Sequence, residues 1–329
     1  MADALSPNEL QRLLADPIAT EARSALFGQP ALVVDLDGAL PRGADFERLA
    51  DVPAVSVGIG QAAAPGLREA VDVLAAGPEE LAEIVTTLEH SPLASLALVQ
   101  LLRRSLARSI ADGLLAESLA YSTLQAGPEF SAWRATRRAR AREANPEPAV
   151  LALREGERLS LRLNRPEKRN AFSAEMRDAL CEALALVLQD SSLRRVELSG
   201  AGPSFCSGGD LDEFGTLPDP ATAHAIRSTR NAAALLARAA DRVEARVHGA
   251  CVGAGVELPA FCRRVTAEPG AFFQLPEVGM GLVPGAGGTV SLPRRVGRQR
   301  AGWLALTGRR LPAEDALAWG LVDEVRGGR

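Results

Sequence analysis

Residues 247–288 read VHGACVGAGVELPAFCRRVTAEPGAFFQLPEVGMGLVPGAGG, and no other stretch narrows the choice of fold as much. Apolar sequence is broken here by two glycine-rich turns, Gly253-Ala254-Gly255 and Gly285-Ala286-Gly287-Gly288. Two glutamates, Glu257 and Glu277, sit among the apolar residues. A segment this apolar is interior, so both carboxyls go inside with it. A buried carboxylate is costly to keep ionised, and its pKa rises. Two such groups in one stretch point to a paired acid and base rather than to solvated surface charge.

The chain has ample material for a core around that pair: 329 residues, 47% hydrophobic and 24% charged, enough for one large domain or two moderate ones. A net charge of −4 gives no global attraction to nucleic acid or to an anionic membrane surface. No run of eighteen apolar residues occurs, and the first residues, MADALSPNELQRLL, have neither a basic start nor an apolar core. The expectation is a cytoplasmic protein without a secretory signal or a transmembrane helix. Cys181, Cys206, Cys251 and Cys262 match no zinc-ligand spacing and are read as packing residues.

In chain order, Ser6-Pro7-Asn8-Glu9 has the form of a capping box opening a helix. Residues 31–38 (ALVVDLDG) and 52–60 (VPAVSVGIG) read as short strands, and 65–142 as mostly helical, with helices opening near Pro78, over 96–106 and over 114–124. Asn145-Pro146-Glu147-Pro148 is the best domain boundary, dividing 1–145 from 146–329. Beyond it come paired strands at 149–153 and 159–163, a polar loop over 164–170, and a helix capped by Ser173. A strand follows at 195–198, then a helix over about 220–240 and a strand at 243–247. Repeated strands and helices argue for an α/β layered fold.

The second half resembles the crotonase (enoyl-CoA hydratase/isomerase) superfamily. The matching pieces, LNRPEKRNAFS, LSGAGPSFCSGGDLDEF, VHGACVGAGVEL, FFQLPEVGMGLVPGAGGT and LTGRRLPAEDALAWGLVDEV, run in family order over about residues 148–326. The resemblance implies a ββα spiral core and a thioester of coenzyme A as substrate, its carbonyl held between the backbone N–H groups of Ser207 and Ala254. Two preset amide dipoles are an effective way to hold an enolate oxygen in a dry site. Gly208 and Gly253 permit close backbone approach. Glu257 and Glu277 fall on the positions of the acid and base in hydratase-type members, which favours hydration of a 2-enoyl-CoA, with isomerisation as the alternative. Lys168, Arg169 and Ala171 lie in the loop that resembles the coenzyme-binding segment, and Asp210 in the turn after Gly208. No metal or redox cofactor is implied, coenzyme A being part of the substrate. The resemblance also implies a homo-oligomer, a trimer or a multiple of three.

Two features depart from the family pattern. Helices that usually follow the equivalent of Gly320-Leu321-Val322-Asp323 are not in that place, and about 145 residues precede the core. Residues 78–140 are similar to the displaced helices, and LDGALPRGADFERL is similar to LSGAGPSFCSGGDLDEF. The N-terminal region is therefore read as a shortened crotonase half without catalytic glutamates, its helices packing on the active core within the chain or from a neighbour. Two competing readings use other features. Asp35-Leu36-Asp37-Gly38 looks like the first motif of haloacid-dehalogenase-type phosphatases, with Asp35 as nucleophile and Mg²⁺ as cofactor, though it is also a common strand-to-turn ending. A non-catalytic crotonase-like scaffold is the third possibility. Elsewhere, His224 and His248 are read as surface or core residues and the arginines of 137–142 as a solvated helix end.

Overall fold

The computed structural model describes residues 4–61, 66–137 and 145–327. Two chemical periods build its second half. In Arg158–Leu163 the alternation of Leu159, Leu161 and Leu163 with Arg158, Ser160 and Arg162 buries every second side chain, as a half-buried strand requires. This strand pairs antiparallel with Val150–Glu155 and parallel with Arg195–Gly200. Val243–Val247, Arg264–Ala267 and Glu324–Val325 extend the same sheet to six strands, all parallel beyond the first hairpin. After Val243–Val247 and again after Arg264–Ala267 the chain adds a strand to a second sheet, Ala250–Val252 and then Phe272–Gln274. Leu311–Pro312 closes that sheet. Strand, strand and helix thus recur in succession, which is the ββα spiral of the crotonase fold.

Helices cover the spiral. Ser173 caps Ala174–Gln189 by accepting the Met176 N–H at 3.2 Å. One helix was expected over 220–240, but there are two, Pro220–Thr229 and Ala232–Ala239. The break falls at Asn231, whose side chain accepts the Ala234 N–H at 2.9 Å and restarts the helix, the usual work of an asparagine cap.

The first half begins as its capping box requires: Glu9 accepts the Ser6 N–H at 2.9 Å, opening Pro7–Ala15. Ala31–Asp35, Val55–Ile59 and Val73–Ala75 form a parallel three-stranded sheet. The third strand corrects the helical reading of the region from residue 65, because only Leu67–Ala70 is helical before it. Asp72, buried in that corner, accepts from the Ser56 N–H and hydroxyl and pairs with Arg103 at 2.7 Å. Then come four helices, Pro78–His90, Pro92–Arg103, Ile110–Gln125 and Pro128–Ala135. The basic run past residue 137 lies outside the described residues.

These four helices lie on the spiral within the same chain. Leu98, Leu102, Leu114 and Tyr121 share one continuous apolar core with Val290, Leu292, Leu304 and Leu306. A smaller core, with Leu10, Leu14, Leu32 and Val34, fills the other side of the three-stranded sheet. Among the described residues no helix is long and apolar enough to cross a membrane.

Candidate active site

Cys206 and Cys251 bridge two backbone segments in parallel, and the Val252 N–H donates to Cys206 O at 2.9 Å. The turns following these segments, around Gly208 and Gly253, are therefore neighbours. Gly253 has φ +50°, and a Cβ there would lie 2.5 Å from Glu277 Oε1, so a side chain would both strain the turn and displace the carboxyl. Next comes the four-residue helix Ala254–Glu257, which brings Glu257 into a cavity of about 370 Å³. Glu257, Glu277, Ala254 and Gly209 all line this cavity.

Of the two expected carbonyl-holding amides, one is already bonded within the fold. The Ser207 N–H donates to Arg169 O at 3.0 Å, and Ser207 is not part of the cavity wall. An amide already bonded inside the fold is unavailable to a substrate oxygen. Gly209, two residues on, lines the cavity, and neither its N–H nor that of Ala254 has an acceptor among the described residues. Glycine spacing in sequence does not show which way an amide points, so the motif alone does not reveal that the Ser207 N–H is engaged.

The loop of 165–171 lies beside the cavity wall rather than in it. Lys168, Arg169 and Ala171 lie off the cavity. The Lys168 ammonium is matched by Asp210 at 3.0 Å and Asp212 at 3.8 Å, and Arg169 takes a left-handed backbone at the end of a turn. Asp210 also accepts the Asp212 N–H at 3.1 Å, fixing its turn. Gly208, at φ +93°, packs on Val252 O. The cavity's cations are instead Arg134, Arg177, Arg227 and Arg230, none of which the sequence motifs singled out.

Glu257 accepts at Oε2 from the N–H groups of Ala286 (2.7 Å) and Gly288 (2.8 Å). Burial, followed by the charges of Glu277 and Glu117, pushes its carboxyl well above the usual range, against the pull of those two amides. Glu277 is pushed up to about 8, chiefly by burial. Its Oε2 is buried with no hydrogen-bond partner among the described residues.

A third buried carboxyl was missed. Glu117, from the Ile110–Gln125 helix, is 2% exposed and lines the same cavity. It accepts from the Gly287 N–H at 2.7 Å, the Thr289 N–H at 2.9 Å and the Thr289 hydroxyl at 2.7 Å. Burial raises it to about 7. Its signal in the sequence is the one that marked Glu257, a lone glutamate in apolar company, LLAESLAY. Tyr121, one turn further along, packs its ring where a Gly285 side chain would stand, and burial pushes its phenol upward.

The other candidates have local roles. Asp35 accepts the Asp37 N–H at 2.9 Å and Asp37 accepts the Gln61 N–H at 2.8 Å, which makes both turn-fixing groups. His224 Nδ1 bonds the Ser118 hydroxyl at 2.9 Å, and His248 bonds Gly202 O at 2.8 Å.

Known proteins are similar to this chain over about half of its length. A 1,2-epoxyphenylacetyl-CoA isomerase of Escherichia coli is 39% identical over 171 residues, 51% of this chain and 65% of that protein. Mevalonyl-coenzyme A hydratase SIDH of Beauveria bassiana is 34% identical over 188 residues, 55% of this chain and 64% of that one. The chain thus spans a little under two thirds of the length of these relatives. The crystal structure of an enoyl-CoA hydratase from Mycobacterium smegmatis matches 55% of this chain and 71% of its own, with TM-score 0.52 and 35% identity. A model of the enoyl-CoA hydratase/isomerase family matches residues 157–327, more than half of the protein, and the chain belongs to that family.

Proposed function

We propose that the protein hydrates a 2-enoyl-CoA thioester. The observation that carries this reading is the meeting of two buried carboxyls, Glu257 and Glu277, with two amides, Gly209 and Ala254, that have no acceptor among the described residues, on one cavity wall. The thioester oxygen takes the two N–H groups, which stabilise the charge that develops as the enolate forms. Glu257 acts as the base. Its two amide donors favour the ionised form, and it accepts a proton from water as the water oxygen bonds the β-carbon. Glu277, whose Oε2 has no hydrogen-bond partner among the described residues, holds a proton and delivers it to the α-carbon, restoring the carbonyl. One proton is taken up and one released, so water adds across the double bond without a further reactant. Every transfer is assigned to a side chain of this protein, and the reaction calls for no added cofactor; coenzyme A arrives with the substrate. Arg134, Arg177 and Arg230 are the cations proposed to meet its phosphates.

A second reading, isomerisation of an acyl-CoA, is favoured by the isomerase relative and needs only one carboxyl to carry a proton between two carbons. Loss of the enoyl-thioester absorbance, followed over a panel of 2-enoyl-CoA chain lengths, tests the first reading. The appearance of that absorbance from 3-enoyl-CoA tests the second. A purified protein that turns over neither substrate class would sink both and leave a scaffold.

A further inference from the structure

Residues 286–289 present four successive amides, and two carboxyls divide them alternately. Ala286 and Gly288 donate to Glu257, while Gly287 and Thr289 donate to Glu117. Glu257 arrives from the spiral core and Glu117 from the N-terminal helices, 170 residues away from Gly287. In a turn of consecutive peptide units the direction of one amide constrains the next, so release of Gly287 and Thr289 would free Ala286 and Gly288 to rotate off Glu257. Thr289 adds its hydroxyl to Glu117 Oε2, and Ser291 donates its own hydroxyl to Glu257 O, binding the same helix start to both partners.

We propose that Glu117 is a positioning residue for the acid–base pair: it locks the 286–289 turn so that Glu257 offers its carboxyl to water in one orientation. The inference rests on the reading of Glu257 and Glu277 as base and acid. Three bonds to a fully buried carboxyl exceed what a helix cap alone requires. The groups facing Glu117 are Tyr121 on its own helix, Arg227 on Pro220–Thr229, and Glu257 and Glu277 across the cavity. Arg227 lies over the Tyr121 ring at 4.7 Å and bonds Ser118 and Gln125, which holds the Ile110–Gln125 helix in place beside the cavity. Negative charge on Glu117 therefore opposes ionisation of both catalytic carboxyls.

Steady-state hydration of crotonyl-CoA by the full chain, measured across pH for wild type, Glu117→Gln and Thr289→Val, decides the matter. Glu117→Gln is expected to lower kcat about tenfold or more with KM nearly unchanged, the pattern of a lost transition-state contribution. It should also move the acidic limb of the kcat profile to lower pH, because a negative neighbour has gone. A residue that merely caps the helix would lower the melting temperature and leave that limb in place. Thr289→Val removes the hydroxyl and keeps the amide; a kcat loss of about threefold at constant KM is expected, and this variant decides if Glu117→Gln does not fold. Folded variants with wild-type kcat and an unmoved acidic limb overturn the proposal while leaving the acid–base reading intact. Wild type inert toward every enoyl-CoA overturns the acid–base reading and the proposal with it.

Discussion

Glu277 keeps one carboxyl oxygen buried without a hydrogen-bond partner among the described residues, and an orphaned polar atom of this kind costs a fold about 1–3 kcal/mol. The structure carries that cost where a cavity opens beside the carboxyl, as expected for a proton donor waiting for substrate. Replacing either of the carboxyls proposed as base and acid with its amide, Glu257→Gln or Glu277→Gln, removes the proposed proton acceptor or donor without removing bulk. Each is expected to lower kcat by about 10²–10⁴-fold, and a folded variant within a factor of two of wild type would remove that residue from the mechanism. The same groups set a pH dependence of stability. In the unfolded chain a glutamate loses its proton near 4.5, whereas the folded protein retains it on Glu117 to about 7 and on Glu277 to about 8. The folded state therefore binds more protons between these limits, so stability from these groups is greatest at the acid end of the window and falls as pH rises through it. Urea unfolding midpoints compared at about pH 6 and about pH 8 should show this fall, and Glu277→Gln should flatten it. A midpoint that rises over the same interval in wild type and variant alike would place the governing groups elsewhere.

Among the elements, the join between the N-terminal sheet and its helices depends on a polar pair in an apolar setting. Asp72 and Arg103 meet at 2.7 Å with side chains 3% and 4% exposed, and Arg103 also donates to Val52 O and Ala54 O. Arg103→Ala leaves the Asp72 carboxylate buried without its principal partner, and Arg298 at 3.6 Å is its remaining cation. The expected loss is about 3–5 kcal/mol of unfolding free energy, measured by urea titration; a loss below about 1 kcal/mol would put the pair in the class of surface bridges. Legibility follows physical range at this scale. Helices opened by Pro78 and Ser173 and the strand Arg158–Leu163 were readable because local periodicity and caps determine them. The strand Val73–Ala75 was not, since three residues between two helices show no period of their own and take their form from pairing with Val57–Ile59. The engagement of the Ser207 N–H was not readable because its bond to Arg169 O runs across the loop and is invisible in the motif. Glu117 escaped because its partners are remote in sequence and belong to the opposite half of the chain.

For the molecule as a whole, the source of the cavity's cover bears on how activity depends on assembly. Leu114, Glu117, Tyr121, Phe130 and Arg134, all from the first half, line the cavity together with Ala254, Glu257 and Glu277 from the second. One chain thus brings both the carboxyls proposed as base and acid and the helices that line their cavity, and a cover that excludes water strengthens every electrostatic interaction inside a site. We infer that the first half is a shortened crotonase-like unit retained for these helices. Its three-stranded parallel sheet and the continuity of its core with that of the spiral support the idea. A site completed within one chain predicts that enoyl-CoA turnover per chain stays constant as the protein is diluted, even through a concentration at which light scattering records dissociation of an oligomer. A site completed by a neighbour predicts the opposite, because dissociation would strip away the cover and let the turnover fall with the oligomer fraction. The measurement is specific activity against concentration beside mass by light scattering, and a parallel fall of the two would move the working cover from this chain's own helices to those of another copy.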